Sequence, residues 1–209
     1  MKISNCYLKY EKTNFELNIP KMELQDNKIN CLLGDNGSGK STLLKQIVTD
    51  NCQHDIKSKI LMLQKPFIFA GTVEDNINKI QKLSKNIIQD KEQILADLML
   101  LDLRKQRAKS LSGGQKQRLA FAMAILSDCD LIMLDEPFNN IDLKSQHLMV
   151  ALMKRLDKTF LLVSHKIQLS RKIGDYFFLI DEGKLIVEGE KEVFFIEENN
   201  KVMQLLEME

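Results

Sequence analysis

Tryptophan is absent from this 209-residue chain, aromatic residues make up only 6% of it, and prolines number three. So few flat side chains exclude a base-stacking platform for single-stranded nucleic acid. Net charge is nearly absent too: 30 basic residues face 29 acidic ones, for a formal charge of +1. A chain so balanced carries no electrostatic footprint for a polyanion. Long apolar runs are also missing. Runs such as Leu131-Ile132-Met133-Leu134 have strand length, whereas a membrane-crossing helix needs about 20 apolar residues. No continuous apolar stretch opens the chain, so a targeting segment is not expected. The four cysteines, Cys6, Cys31, Cys52 and Cys129, include no C-x-x-C pair and have no histidine cluster beside them. They read as reduced thiols acting as small buried hydrophobes, not as a zinc site.

What is present is ordinary globular composition, 44% hydrophobic and 28% charged, enough for one domain with its own core. Short apolar runs read as strands at Ile3–Tyr10, Phe15–Ile19, Ile29–Leu33, Lys59–Leu63, Leu131–Leu134 and Phe160–Val163. Tyr176–Ile180 and Leu185–Val187 read as a hairpin around Asp181-Glu182-Gly183-Lys184. Between them the apolar period is helical. The stretch from about 72 to 109 places Ile87, Ile94, Leu98 and Leu101 on one face. A helix opening near Gly113 aligns Leu119, Ala122, Met123 and Leu126, and a later one aligns Met149, Leu152, Met153 and Leu156. Alternating strands and helices predict an α/β fold with a mainly parallel sheet, in one domain over 1–209 with a small helical lobe over about 72–126.

One stretch carries most of the chemical information. Gly34-Asp35-Asn36-Gly37-Ser38-Gly39-Lys40-Ser41 fits the phosphate-loop pattern G-x-x-x-x-G-K-[ST], between the strand ending at Leu33 and a helical pattern beginning at Thr42. Glycines let successive N–H groups turn inward onto phosphate oxygens, and the following helix adds its positive end. Lys40 would reach the outer phosphates and Ser41 would offer a hydroxyl to Mg²⁺. Further motifs follow in order: Gln64 at a strand end, Leu111-Ser112-Gly113-Gly114-Gln115, and Leu131-Ile132-Met133-Leu134-Asp135-Glu136-Pro137. Asn139-Asn140-Ile141-Asp142 and then Ser164-His165, after another strand, complete the series.

Taken together, these residues make the chain resemble the ATP-binding subunit of an ABC transporter over nearly its whole length. The resemblance implies a phosphate-loop nucleotidase core with an antiparallel β subdomain and a helical subdomain. It implies ATP and Mg²⁺ as ligands. Asp135, Ser41 and Gln64 would hold the metal, Glu136 would be general base, and His165 and Lys40 would contact the γ-phosphate. Ser112, Gly113, Gly114 and Gln115 would face the ATP of a second subunit, with Asp142 in the adjoining loop. The two asparagines ahead of Asp142 depart from the small residues usual there. An aromatic, Tyr10 or Tyr7, would stack on adenine. The segment after Gln64, with Phe67, Ile68 and Phe69, would be either core or a docking patch for a membrane permease. His54 and His147 read as ordinary surface or helix-face histidines.

Expected partners are therefore a second ATP-binding subunit and a separate permease, at the cytoplasmic face of the membrane, with no nucleic acid and no appended regulatory domain. Import of a small solute or oxyanion is the favoured direction, with export as the alternative. A soluble ATPase of DNA repair or chromosome organisation would need long coiled coils between Gln64 and Leu111, and no sustained heptads occur there. A binding module without catalysis would not need Lys40, Gln64, Asp135, Glu136 and His165 all intact.

Overall fold

The computed structural model describes residues 1–11, 15–84, 91–139, 141–196 and 202. Nine strands among the described residues form one sheet: β1 (Lys2–Lys9), β2 (Glu16–Glu23), β3 (Ile29–Leu33), β4 (Gln53–His54), β5 (Lys59–Met62), β6 (Leu131–Asp135), β7 (Thr159–Val163), β8 (Tyr176–Asp181) and β9 (Lys184–Glu190). Their order across the sheet is β4-β1-β2-β9-β8-β3-β7-β6-β5. From β8 to β5 the neighbours run parallel, whereas β8–β9, β1–β2 and β1–β4 are antiparallel. The helices are α1 (Lys40–Val48), α2 (Val73–Leu83), α3 (Lys91–Asp97), α4 (Gly113–Ile125), α5 (Leu143–Arg155), α6 (Ile167–Ile173) and α7 (Lys191–Phe194).

The parallel strands are buried on both faces, so their alternation divides two cores rather than core from solvent. Leu131, Met133, Leu161, Val163, Phe178 and Ile180 face the core under α1 and the antiparallel strands. Ile132, Leu134, Phe160, Leu162, Phe177 and Leu179 face the larger core under α4 and α5. Asn30 interrupts the apolar run of β3 yet is fully buried. Its Nδ2 donates to the carbonyls of Gln25, Lys28 and Phe160, which satisfies the amide that burial would otherwise penalise. The β8–β9 turn places Glu182 at φ 45° and Gly183 at φ 76°, the pair of positive dihedrals that a tight hairpin needs.

Two sequence readings are corrected, and one helix is added. The stretch from 72 to 109 is not continuously helical. It breaks into α2, α3 and two 3₁₀ turns at Leu101–Leu103 and Ala108–Ser110. Met99, at φ 54°, ends the α3 region, and Leu100 N–H donates back to Leu95 O at 2.7 Å. Ile94 and Leu98 are buried together as expected, while Ile87 lies outside the described residues. The expectation of four reduced thiols fails at one pair: Cys6 and Cys52 form a disulfide with Cα atoms 4.6 Å apart. The pairing of Ile3 with His54 and Ser4 with Gln53 brings these positions, 46 residues apart in sequence, face to face. Cys31 and Cys129 are free, and burial pushes the Cys31 thiol well up. Finally, α6, a seven-residue helix after His165, has no counterpart in the sequence reading.

Candidate active site

The carboxyl ends of β3, β6 and β7 deliver three loops to one edge of the sheet, where open α/β sheets bind ligands. After β3, the chain turns through Gly34 at φ 145°. A Cβ there would sit 2.1 Å from the Ile180 carbonyl oxygen, so only glycine permits this approach. Gly39, at φ 109°, precedes α1 without any side-chain cap, which leaves first-turn N–H groups to the cleft. A Cβ on Gly39 would lie 2.8 Å from the tip of Phe15. Lys40 is buried and donates to the carbonyls of Gly34 at 2.6 Å and Asp35 at 2.7 Å. Burial lowers its pKa, and Glu136, Asp35 and Asp135 oppose that shift.

From β6 come Asp135 and Glu136. The Ser41 hydroxyl lies 3.2 Å from Asp135 Oδ1. Burial raises the Asp135 carboxyl, against the Ser41 hydrogen bond and the charges of Lys40 and Lys45. Glu136 occupies the left-handed region at φ 50°, a strained conformation for a side chain of its kind, held by its N–H donating to Val163 O at 3.0 Å. From β7 comes His165. Its backbone N–H donates to Glu136 Oε2 at 3.3 Å, and its Nδ1 lies 2.9 Å from the same oxygen.

These groups line a cleft of about 660 Å³. Asn36, Gly37, Gly39, Lys40, Ser41, Thr42, Gln64, Asp135, Glu136, His165 and Tyr10 contribute from the sequence-derived set. Gly34, Asp35 and Ser38 stand behind the lining as backbone of the loop, with Ser38 O accepting from Gly183 N–H at 2.8 Å. Between the two candidate aromatics, Tyr10 lines the cleft and Tyr7, 54% exposed, does not. Two lining residues escaped the sequence reading. Phe15 pairs with Tyr10 at 6.1 Å between ring centroids, and Asn139 follows Glu136. Phe15 carried no motif and lies at a strand start. In sequence, Asn139 stands out only as a departure from the small residues usual there.

A family model described as ABC transporter matches residues 17–139. The chain belongs to the ABC transporter family. It is 31% identical over 229 residues to the phosphate import ATP-binding protein PstB of Campylobacter jejuni, covering 93% of this chain and 92% of that one. To the lactococcin-A transport/processing ATP-binding protein LcnC of Lactococcus lactis it is 29% identical over 81% of this chain, but spans only 27% of that protein. Among solved structures, an ATP binding subunit of an ABC transporter superposes with a TM-score of 0.84 at 17% identity, over 98% of each chain. Another, cbiO1 from Clostridium perfringens, superposes at 0.76 and 22% identity, over 98% of this chain and 94% of that one. These two likenesses speak for the fold. Family membership, with the PstB likeness over nearly the whole of both chains, makes ATP binding and hydrolysis the chemistry of this ABC transporter ATPase.

In this ABC transporter chain the remaining motif stands apart from the cleft. Ser112 and Gly113 are exposed, Gly114 and Gln115 half-buried, and none of the four lines the cleft. Ser112 caps α4 reciprocally with Gln115: Gln115 N–H donates to Ser112 Oγ at 3.3 Å, and Ser112 N–H donates to Gln115 Oε1 at 2.9 Å. Gln117 Nε2 donates to Pro137 O at 3.1 Å, tying α4 to the loop after Glu136. Asp142 caps α5, accepting from Ser145 N–H at 2.8 Å and Ser145 Oγ at 2.7 Å. The guanidinium of the buried Arg118 in turn donates to Ser145 Oγ. The Ser145 hydrogen bonds hold the Asp142 carboxyl below its usual range. Asn140 lies outside the described residues. After Gln64, Phe67 is 65% exposed whereas Ile68 and Phe69 pack partly against the larger core, so the run divides between the two readings left open. No helix among the described residues is long and apolar enough to cross a membrane.

Proposed function

We propose that two copies of this chain pack head to tail, each phosphate loop and its ATP meeting the signature turn of the other, and that hydrolysis releases the pair to drive a separate membrane permease. One observation supports the reading: the Ser112–Gln115 turn, exposed at Ser112 and Gly113, does not line the cleft of its own chain, so a second copy would be needed to bring the two together. ATP would act as a bridge whose loss on hydrolysis shifts the equilibrium toward the open pair. Residues 1–209 are taken as one ATPase unit, with 72–126 as its helical lobe, on the cytoplasmic face of the membrane.

Within the cleft, Lys40 and the N–H groups opening α1 bind the phosphates. Ser41 and Asp135 suit Mg²⁺: a hydroxyl and a carboxylate share one side, and two protein oxygens plus phosphate are what this ion uses. The raised Asp135 carboxyl is what a nearby cation would relieve. Bound with ATP, Mg²⁺ supplies charge neutralisation at the phosphates. Gln64 is placed to hold that site or the attacking water. Glu136 takes the water's proton as general base, and its contact with His165 fixes both side chains on the γ-phosphate side. Asp142 orders the loop beside the signature turn. Tyr10, with Phe15 beside it, receives adenine. Phe67, with Phe69 behind it, forms the permease-facing patch. Import of a small anion is the direction taken, in line with the importer that matches over 93% of this chain. Export is the other outcome, as the lactococcin transporter illustrates.

Glu136→Gln tests the core of this. Steady-state ATP hydrolysis should fall by a factor of about 10² or more, while ATP still binds and a stable dimer accumulates in size-exclusion chromatography. Turnover at the wild-type rate would refute the general-base role. Co-purification of the permease from membranes, followed by transport into or out of vesicles, decides direction.

A further inference from the structure

Asn76 lies in the first turn of α2 and is fully buried. Each end of its carboxamide is used. Phe69 N–H donates to Oδ1 at 2.8 Å, and Nδ2 donates to Phe69 O at 3.1 Å and to Thr72 O at 2.8 Å. Starting α2 does not require this, because Thr72 and Asp75 already form a reciprocal cap. Asparagine is moreover a poor residue for a helix. The three bonds serve residues 69–72 instead, the stretch that follows exposed Phe67. Phe69 meets Phe67 edge-on at 5.0 Å between ring centroids. Lys79 adds a fourth tie, donating to Ala70 O at 3.0 Å with its amine 5.1 Å from the centre of the Phe69 ring.

The same stretch is stitched on its other side to residues 104–108. Ala108 N–H donates to Gly71 O at 2.9 Å, Val73 N–H to Gln106 O at 3.0 Å, and Glu74 N–H to Arg104 O at 2.9 Å, around a bridge between Thr72 and Arg107. Ala108 itself opens the 3₁₀ turn Ala108–Ser110, which is followed by buried Leu111 and then Ser112. A hydrogen-bonded strip therefore runs from the Phe67–Phe69 patch to the signature turn.

We propose that Asn76 is a positioning residue that makes this strip move as one body, so that displacement of Phe67 and Phe69 is delivered to Ser112–Gln115. It is fully buried and lines no part of the cleft; it acts through Phe69 and Thr72, which flank the Gly71 carbonyl that Ala108 N–H reaches. The inference rests on the reading that the signature turn completes the ATP site of a second copy.

Asn76→Asp keeps the side chain's size and its acceptor for Phe69 N–H, and loses both donors. In the full chain, kcat for ATP hydrolysis should fall about tenfold, a typical size for mutations along a coupling route. KM for ATP should stay within about twofold, because the phosphate-loop cleft is untouched. Backbone amides of residues 104–111 should exchange with deuterium about tenfold faster while those of β3 and α1 keep their rates. Faster exchange everywhere would mean a merely structural residue, and a changed KM at unchanged kcat would overturn the proposal equally. A second measurement needs no variant: in the wild-type chain the amides of Phe69, Val73, Glu74 and Ala108 should open together. Independent opening of Ala108 defeats the idea even if the variant does not fold. Absent hydrolysis by the wild-type chain would instead count against the ATPase reading, and the exchange data, which require no ATP, would still judge the strip.

Discussion

Two helices in this chain begin at glycine-rich turns, and they begin in opposite ways. At α1, Gly39 supplies no side-chain cap, and the surroundings are a buried lysine, a buried carboxylate and a glutamate in left-handed backbone. At α4, Ser112 and Gln115 cap one another and the turn faces solvent. The first start leaves its needs to a ligand. The second is satisfied from within, yet keeps the Ser112 hydroxyl proton and the N–H groups of Gly113 and Gly114 to offer. The lesson is one of division: the start proposed to grip phosphates holds a buried lysine and carboxylate beside a glutamate in left-handed backbone, while the turn proposed to meet a second copy is capped by its own side chains.

Lys40→Ala should have the largest effect on this contrast. ATP affinity should weaken by about tenfold or more, the loss of a charge-assisted contact, with little change in folding. Unchanged affinity by calorimetry would remove the lysine from the phosphate site. Ser112→Ala acts at the other start. It should lower stability by about 1 kcal/mol, or about 2–4 °C in thermal midpoint at this chain length, and leave the ATP affinity of a single copy alone. The smallest effect should have the opposite sign. Burial raises the Asp135 carboxyl above its unfolded value, so its contribution to stability is full at acid pH and is lost as pH rises through the folded-state pKa. At pH 7 the ionised group is a net cost. Asp135→Asn should therefore raise the thermal midpoint of nucleotide-free protein by about 2 °C while impairing hydrolysis. A fall in midpoint would erase the distinction between the two helix starts.

Much of the site was legible because its motifs are local. The phosphate loop, the signature turn and the apolar strand ending in Asp135 and Glu136 each declare themselves within about eight residues. What stayed hidden depends on distant contacts. The disulfide partners Cys6 and Cys52 meet only through the pairing of β1 with β4. Phe15 reaches the cleft because β2 passes beside Gly39. The break after α3 falls at Met99 and Leu100, with no glycine or proline to announce it, so the helical period ran through it on paper. Seven residues of α6 are too few to display a period. Buried Ser170, whose hydroxyl donates to Lys166 O at 3.0 Å, and Ile173 seat that helix against the sheet. Spacing from Gly34 favours Tyr10 over Tyr7 by the family resemblance alone, and only the folded chain shows that Tyr10 lines the cleft while Tyr7 does not.

The dihedral of Glu136 gives a way to read descendants of this sequence. Glycine or asparagine would relax that residue at once, so a lineage released from turning over nucleotide has an easy first mutation waiting. On the proposed general-base role, a glutamate kept there despite the discomfort would mark a protein still at work, and its replacement by a relaxed residue would be an early sign of retirement.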